Sequence, residues 1–147
     1  MKERDWTIIV QNYVSESIAQ DTNLAVKAFE RIPYTLEVMG YDEQGTYDLR
    51  HMGYQTDLVI TESADDRIWK PRVIIELKIT TVSTHDAITY SQKAFTHKNV
   101  HPYLRYGILL GNRTHYPLPG RLFRHGAHFD FMASWVGFDP TEEELNG

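Results

Sequence analysis

The sequence predicts an α/β domain, a mixed β-sheet covered by helices, from three observations. The apolar spacing changes from a helical period to strand alternation after Pro33. A β-branched, alternating run, Arg72–Ile79 (RVIIELKI), reads as the clearest strand in the chain. A helical stretch and a further strand follow it, giving the coarse order α–β–β–β–α–β–β. The 147 residues suit one domain, residues 1–147, because no repeat, low-complexity tract or flexible linker divides them.

Each element has its own signal. Asp5 is the candidate N-cap for a helix running to about Gln20, with Trp6, Ile9, Val10 and Tyr13 at helical spacing. Asp21-Thr22-Asn23 marks a break, and Leu24, Ala25, Ala28, Phe29 and Ile32 predict a second amphipathic helix ended by Pro33. Tyr34–Tyr41 alternates as a strand, and Asp42-Glu43-Gln44-Gly45 is a turn. Thr46–Gly53 is open between a strand and an ordered loop. Gln55–Thr61 is a strand, and 62–71 reads as polar connection. Thr84–His97, capped by Ser83 or Thr84, is helical, with Ala87, Ile88, Ser91 and Phe95 inward. Leu104–Leu110 and Ala127–Val136 are strands, and the acidic tail TEEELNG is expected to fray.

Composition narrows the function. Hydrophobic content of 41% and charged content of 24% exclude wholesale disorder. The absence of cysteine excludes disulfides, a thiolate metal site and a cysteine nucleophile. The apolar runs are too short to span a bilayer, and the start MKERDWTIIVQNY does not read as a secretory signal. An intracellular, cytoplasmic and soluble protein without a membrane partner is the expectation. There is no Gly-rich phosphate loop and no GxSxG.

The net charge of −5 argues mildly against nucleic acid, but it averages two unlike regions. Residues 87–129 contain no Asp or Glu and carry Lys93, Lys98, Arg105, Arg113, Arg121 and Arg124. Those six are candidate DNA-binding residues, with aromatics interleaved. The plainer alternative is six cations scattered over the fold. His97 and His101 have i,i+4 spacing, but Pro102 follows and no third zinc ligand is apparent.

One strand carries chemistry. Alternation along Arg72–Ile79 puts Val73, Ile75, Leu77 and Ile79 on one face, and Ile74, Glu76 and Lys78 on the other. A carboxylate and an ammonium on a strand built for burial are costly unless paired or functional. Asp57 lies in the middle of the preceding candidate strand, so a hairpin across 62–71 brings Asp57 and Glu76 together. Two carboxylates ~4 Å apart repel by about 4 kcal/mol at an effective dielectric of ~20. Mg²⁺ relieves that repulsion and takes few carboxylates, several waters and a substrate phosphate. Lys78 beside it suits orienting the attacking water or stabilising developing negative charge.

Thr56-Asp57, nineteen residues ahead of Glu76-Leu77-Lys78, resembles the signature of the PD-(D/E)xK nucleases. That superfamily includes type II restriction endonucleases, Holliday-junction resolvases and repair nucleases, and threonine stands here where its motif has proline. The resemblance covers about residues 5 to 112 and implies a restriction-endonuclease-like core, α-β-β-β-α-β, with a central mixed sheet flanked by helices. It implies that Asp57, Glu76 and the Leu77 carbonyl hold Mg²⁺, with Mn²⁺ as a substitute, and that Lys78 is the catalytic lysine. It further points to Glu16 as a first-helix carboxylate of the site and Gln92 as a glutamine of the following helix. The expected function is a Mg²⁺-dependent DNA endonuclease, restriction-like or homing-type, acting as a homodimer. A junction resolvase or repair nuclease stands behind it. A non-catalytic nucleic-acid-binding module on the same scaffold is the rival from another class.

Overall fold

A computed structural model describes residues 1–65, 67–114 and 118–146. The order is α1 (Glu3–Ser17), β1 (Leu24–Ala28), β2 (Arg31–Tyr41), β3 (Tyr47–Gln55), β4 (Leu58–Asp65), β5 (Ile68–Ile79), α2 (Thr84–Val100), β6 (Arg105–Gly111), α3 (Gly120–His125), β7 (Phe131–Ser134) and α4 (Glu142–Asn146). Five strands form a mixed sheet in the order β1-β4-β5-β6-β7, while β2 and β3 form a separate two-stranded ribbon. β4 runs antiparallel to both of its neighbours, β1 and β5. β5, β6 and β7 run parallel. Parallel neighbours need a crossover, and α2 supplies it between β5 and β6.

The α/β class holds, and so does the division of β5 into two faces. Leu58, Ile75, Leu77 and Leu109 pack with Trp6 and Val10 of α1 and with Trp135. On the opposite face Val59, Ile74 and Tyr106 meet Ala94 of α2, and Ile108 and Leu110 meet Ala87 and Leu122. The sheet is therefore covered by α1 on one side and by α2 and α3 on the other. Gly111 lets α1 approach, since a Cβ there would overlap the Trp6 ring. Ser83 caps α2 reciprocally with Asp86: the Asp86 N–H donates to Ser83 Oγ and the Ser83 N–H donates to Asp86 Oδ2, each at 3.0 Å.

Several expectations are corrected. Leu24–Ile32 is not a helix. It forms β1 and the start of β2, and Leu24 to Ala28 pair with Glu62 to Leu58. Pro33 does not stop an element but sits inside β2 beside a register shift, where a missing N–H is tolerated. Thr46–Gly53 resolves into strand β3, and β4 and β5 continue through most of the supposed connection. Helix α1 begins at Glu3, so Asp5 lies in its first turn rather than at its cap. The last strand is only Phe131–Ser134, and the acidic tail contains a helical turn. His115 and Tyr116 of the acid-free stretch lie outside the described residues. No helix of the described residues is long and apolar enough to cross a membrane.

Candidate active site

The candidate residues gather at the C-terminal end of β5, where the parallel part of the sheet meets α2. Pairing of β4 with β5 ends at Leu58 opposite Ile75. Beyond it the Leu77 N–H has no strand partner on that side, and it donates to Asp57 Oδ2 at 2.8 Å. Asp57 thus lies just before β4 and not within it, a correction that leaves its carboxylate facing β5. Within a strand a residue's carbonyl leaves on the same side as its N–H, so the Leu77 carbonyl also points toward Asp57.

The turn between β1 and β2 locks this position. Phe29, in the left-handed region at φ 60°, donates its N–H to the Asp57 carbonyl at 3.0 Å. Thr56 donates both its N–H, at 2.8 Å, and its hydroxyl, at 2.9 Å, to the Glu30 carbonyl. The buried threonine has a task here that proline, lacking both donors, cannot perform.

Glu76 is 3% exposed and sits between Ile74 and Lys78 on the α2 face. The Tyr106 hydroxyl donates to Glu76 Oε1. Burial first, and the nearby Asp57 carboxylate second, push the Glu76 carboxyl up to about 8, although the Tyr106 hydrogen bond opposes them. Burial and the same Glu76 carboxyl hold the Tyr106 phenol well above its usual range, so it remains a donor. The buried setting beside Asp57 therefore disfavours the Glu76 anion and favours its neutral form.

Lys78 follows two residues later. Its ammonium lies 3.3 Å from Glu3 Oε1 and 5.0 Å from the centre of the Tyr90 ring. Burial opposes its charge, but Tyr90 and Glu3 outweigh burial and hold its pKa above the usual lysine range. Thr80, next but one, is a β-branched residue at φ 66°, a strained conformation costing about 1–3 kcal/mol. Asn112 Nδ2 donates to its hydroxyl at 3.2 Å, Arg113 donates to its carbonyl at 2.7 Å, and its own N–H bonds the Gly111 carbonyl at 2.8 Å. The exit of β5 is held in this sharp bend right behind Lys78.

Two expected residues are not in the cluster. Glu16 is exposed and lines a separate surface hollow with Ile9, Asn12, Tyr13 and Asp139. It stands thirteen residues beyond Glu3, roughly 20 Å along the helix axis. The first-helix acid that reaches the site is Glu3. Gln92 is exposed and lies about 200° around α2 from Tyr90. Lys93 takes the inward place, its ammonium 4.7 Å from the Tyr54 ring centre and 4.9 Å from that of Tyr90. Tyr106 is findable by alternation, because it shares a face with Ile108 and Leu110.

The six candidate DNA-binding cations do not form one patch. Arg105 faces Val73 at the opposite end of the sheet, about 17 Å from Lys78. Lys98 is tied to the His128 carbonyl at 2.6 Å and to Asp130 at 3.3 Å. Arg121 donates to the Val82 carbonyl at 3.0 Å and Arg113 to Thr80, so both brace the β5–α2 connection. Arg124 is exposed on α3. His97 is buried against Tyr106, with Nδ1 3.2 Å from the Pro33 carbonyl. Burial holds it neutral, lowered to about 4.

Among the described residues no group of three or more His, Asp or Glu forms a ready metal cage. The donor set is instead two carboxylates, one with a raised pKa, and a backbone carbonyl. That all-oxygen set fits a hard divalent cation which keeps waters and a substrate oxygen, and it does not fit zinc. No protein-family model matches the sequence, and comparison with curated proteins finds no match.

Proposed function

We propose that the chain is a divalent-cation-dependent DNA endonuclease of the PD-(D/E)xK type, hydrolysing phosphodiester bonds with Mg²⁺. The observation that carries this reading is a buried Glu76, disfavoured as an anion, beside Asp57 and two residues before the charged Lys78. Asp57, Glu76 and the Leu77 carbonyl would hold the cation, which when bound polarises a phosphoryl oxygen and makes water a better nucleophile. The chain's residues then do the rest. Lys78 would orient the attacking water and stabilise the negative charge that grows on the phosphoryl oxygens as the new P–O bond forms. The attacking water gives up a proton to solvent, the bridging P–O bond breaks, and the leaving oxygen takes up a proton from solvent. Glu3 and Tyr90 fix the Lys78 ammonium, and Lys93, also against the Tyr90 ring, adds a second positive charge for a phosphate. The surrounding apolar face strengthens each of these interactions by lowering the local dielectric.

The decisive experiment incubates supercoiled, linear, single-stranded and four-way-junction DNA with the protein and Mg²⁺, against an EDTA control. Lys78→Ala should fold, retain DNA binding and lose cleavage by roughly 10²- to 10³-fold. Full metal-dependent cleavage by that variant would overturn the assignment. Discrete sequenced ends support a restriction-like or homing-type enzyme, and junction-only cutting supports a resolvase.

A further inference from the structure

We infer that two copies of this chain associate through the apolar face of the β2–β3 ribbon, laid antiparallel about a twofold axis. The ribbon's register places Leu36 opposite His51, Val38 opposite Leu49 and Tyr41 opposite Tyr47. A register shift between Val38 and Gly40 absorbs Met39, so these three pairs share one face despite the odd spacing. Glu37 opposite Arg50, and Gly40 opposite Asp48, fall on the other face. The ribbon is therefore amphipathic, yet Leu36, Val38, Tyr41, Tyr47 and Leu49 are between 48% and 69% exposed. Only its base is covered, where Ile32 is buried and Tyr34 and Tyr54 stack at 4.0 Å beside His97.

An isolated two-stranded ribbon is marginally stable in water and gains stability when an apolar face is packed against another surface. At these exposures the five residues present at most roughly 600 Å² per copy, so pairing two such faces buries up to about 1,200 Å², the lower end of the range for specific interfaces. Nucleic acid is a poor occupant. From Leu36 to His51 the ribbon carries Glu37, Asp42, Glu43 and Asp48 against Arg50, which repels phosphates. A basic protein partner finds no carboxylate on the apolar face. A second copy fits: Val38 and Leu49 meet at the axis, and the Tyr41–Tyr47 pair of one copy covers Leu36 and His51 of the other. The acidic turns at 42–46 are carried to opposite ends, which keeps like charges apart. The inference stands on the ribbon and not on the nuclease reading, though it supplies the two sites that cutting both strands requires.

Sedimentation of the full chain from about 1 to about 100 µM should show a concentration-dependent dimer. Leu49→Lys, which puts an unpaired ammonium at the axis, should raise the dissociation constant roughly thirtyfold or more with an unchanged circular dichroism spectrum. Because the chain has no cysteine, a single Val38→Cys thiol should cross-link its copy on oxidation, whereas Phe123→Cys, exposed on α3, should not. Wild type that stays monomeric throughout, a dimer that survives Leu49→Lys, or equal cross-linking by the two cysteine variants would overturn the inference. So would Leu49→Lys abolishing DNA binding in a monomeric protein, which would make the ribbon a nucleic-acid contact.

Discussion

The end of β5 and the β2–β3 ribbon break the same rule in opposite directions. At Glu76 a carboxyl group is buried, and on the ribbon a row of large apolar side chains faces water. Both are departures from the distribution that folding favours, and they differ in what would resolve them. A buried carboxyl beside another carboxylate is relieved by a proton or a cation. An exposed apolar face is relieved by another surface. The first is local chemistry within one chain, and the second depends on protein concentration.

The largest effects come from abolishing the departure at Glu76. Glu76→Gln removes the negative charge on the candidate metal ligand but keeps its shape, and cleavage should fall by about 10³-fold or more. Stability should move the other way. The Glu76 carboxyl is raised from 4.5 to about 8, so the stability it contributes is present below pH 4.5 and is lost as pH rises through 8. His97 is depressed from 6.5 to about 4, so its contribution is present above pH 6.5 and is lost as pH falls through 4. Thermal melts of the metal-free wild type should therefore weaken at both ends. Glu76→Gln should keep the acid loss, abolish the alkaline one and be a few kcal/mol more stable than wild type at pH 8. A variant that still weakens toward pH 8 would place that buried charge elsewhere. Leu49→Lys provides the contrast: compared below the dimerisation concentration, it should change stability by no more than about 0.5 kcal/mol.

Tyr106→Phe sharpens the same comparison with a smaller effect. It deletes the hydroxyl that favours ionised Glu76, leaving Oε1 without that donor. Stability should fall by about 1–3 kcal/mol. The carboxyl pKa should rise further, so the rise of cleavage with pH should shift to more alkaline values while activity at high pH is largely retained. An unshifted pH profile with uniformly lower activity would reduce Tyr106 to a packing residue.

What is legible in the sequence is what strand alternation decides locally. The RVIIELKI run sets which side chains of β5 share a face, and so puts Glu76 and Lys78 side by side. Leu24–Ile32 is illegible because a short apolar run satisfies helix and strand alike. Its pairing with residues 58–62, far along the chain, settles the matter. Asp57 reads as an acid of the preceding strand, but its role as the acceptor for Leu77 depends on where β4 begins. Glu16 and Gln92 follow from the family pattern, and they fail on helix position. Glu3 begins α1 beside Lys78, and the face of α2 toward the site runs through Tyr90 and Lys93. Those rotations follow from packing against the sheet, which no local period encodes. The ribbon's unequal faces depend likewise on a register shift at Met39 that the sequence does not announce.

The smallest expected effect lies at the margin between the two regimes, in the contact between Lys78 and Glu3. Glu3 is part of the fold's rim, and its side chain is 41% exposed, so water screens the pair. Glu3→Gln should cost less than about 1 kcal/mol of stability. Lys78 keeps Tyr90 as a neighbour, so its ammonium should stay charged and only its position should loosen. Cleavage should then fall several-fold, well short of the loss in Lys78→Ala, with the Mg²⁺ concentration for half-maximal rate unchanged. A loss as deep as that of Lys78→Ala, or a weaker Mg²⁺ response, would move Glu3 from holding the lysine to holding the cation. The buried departure would then extend from β5 across to the first turn of α1.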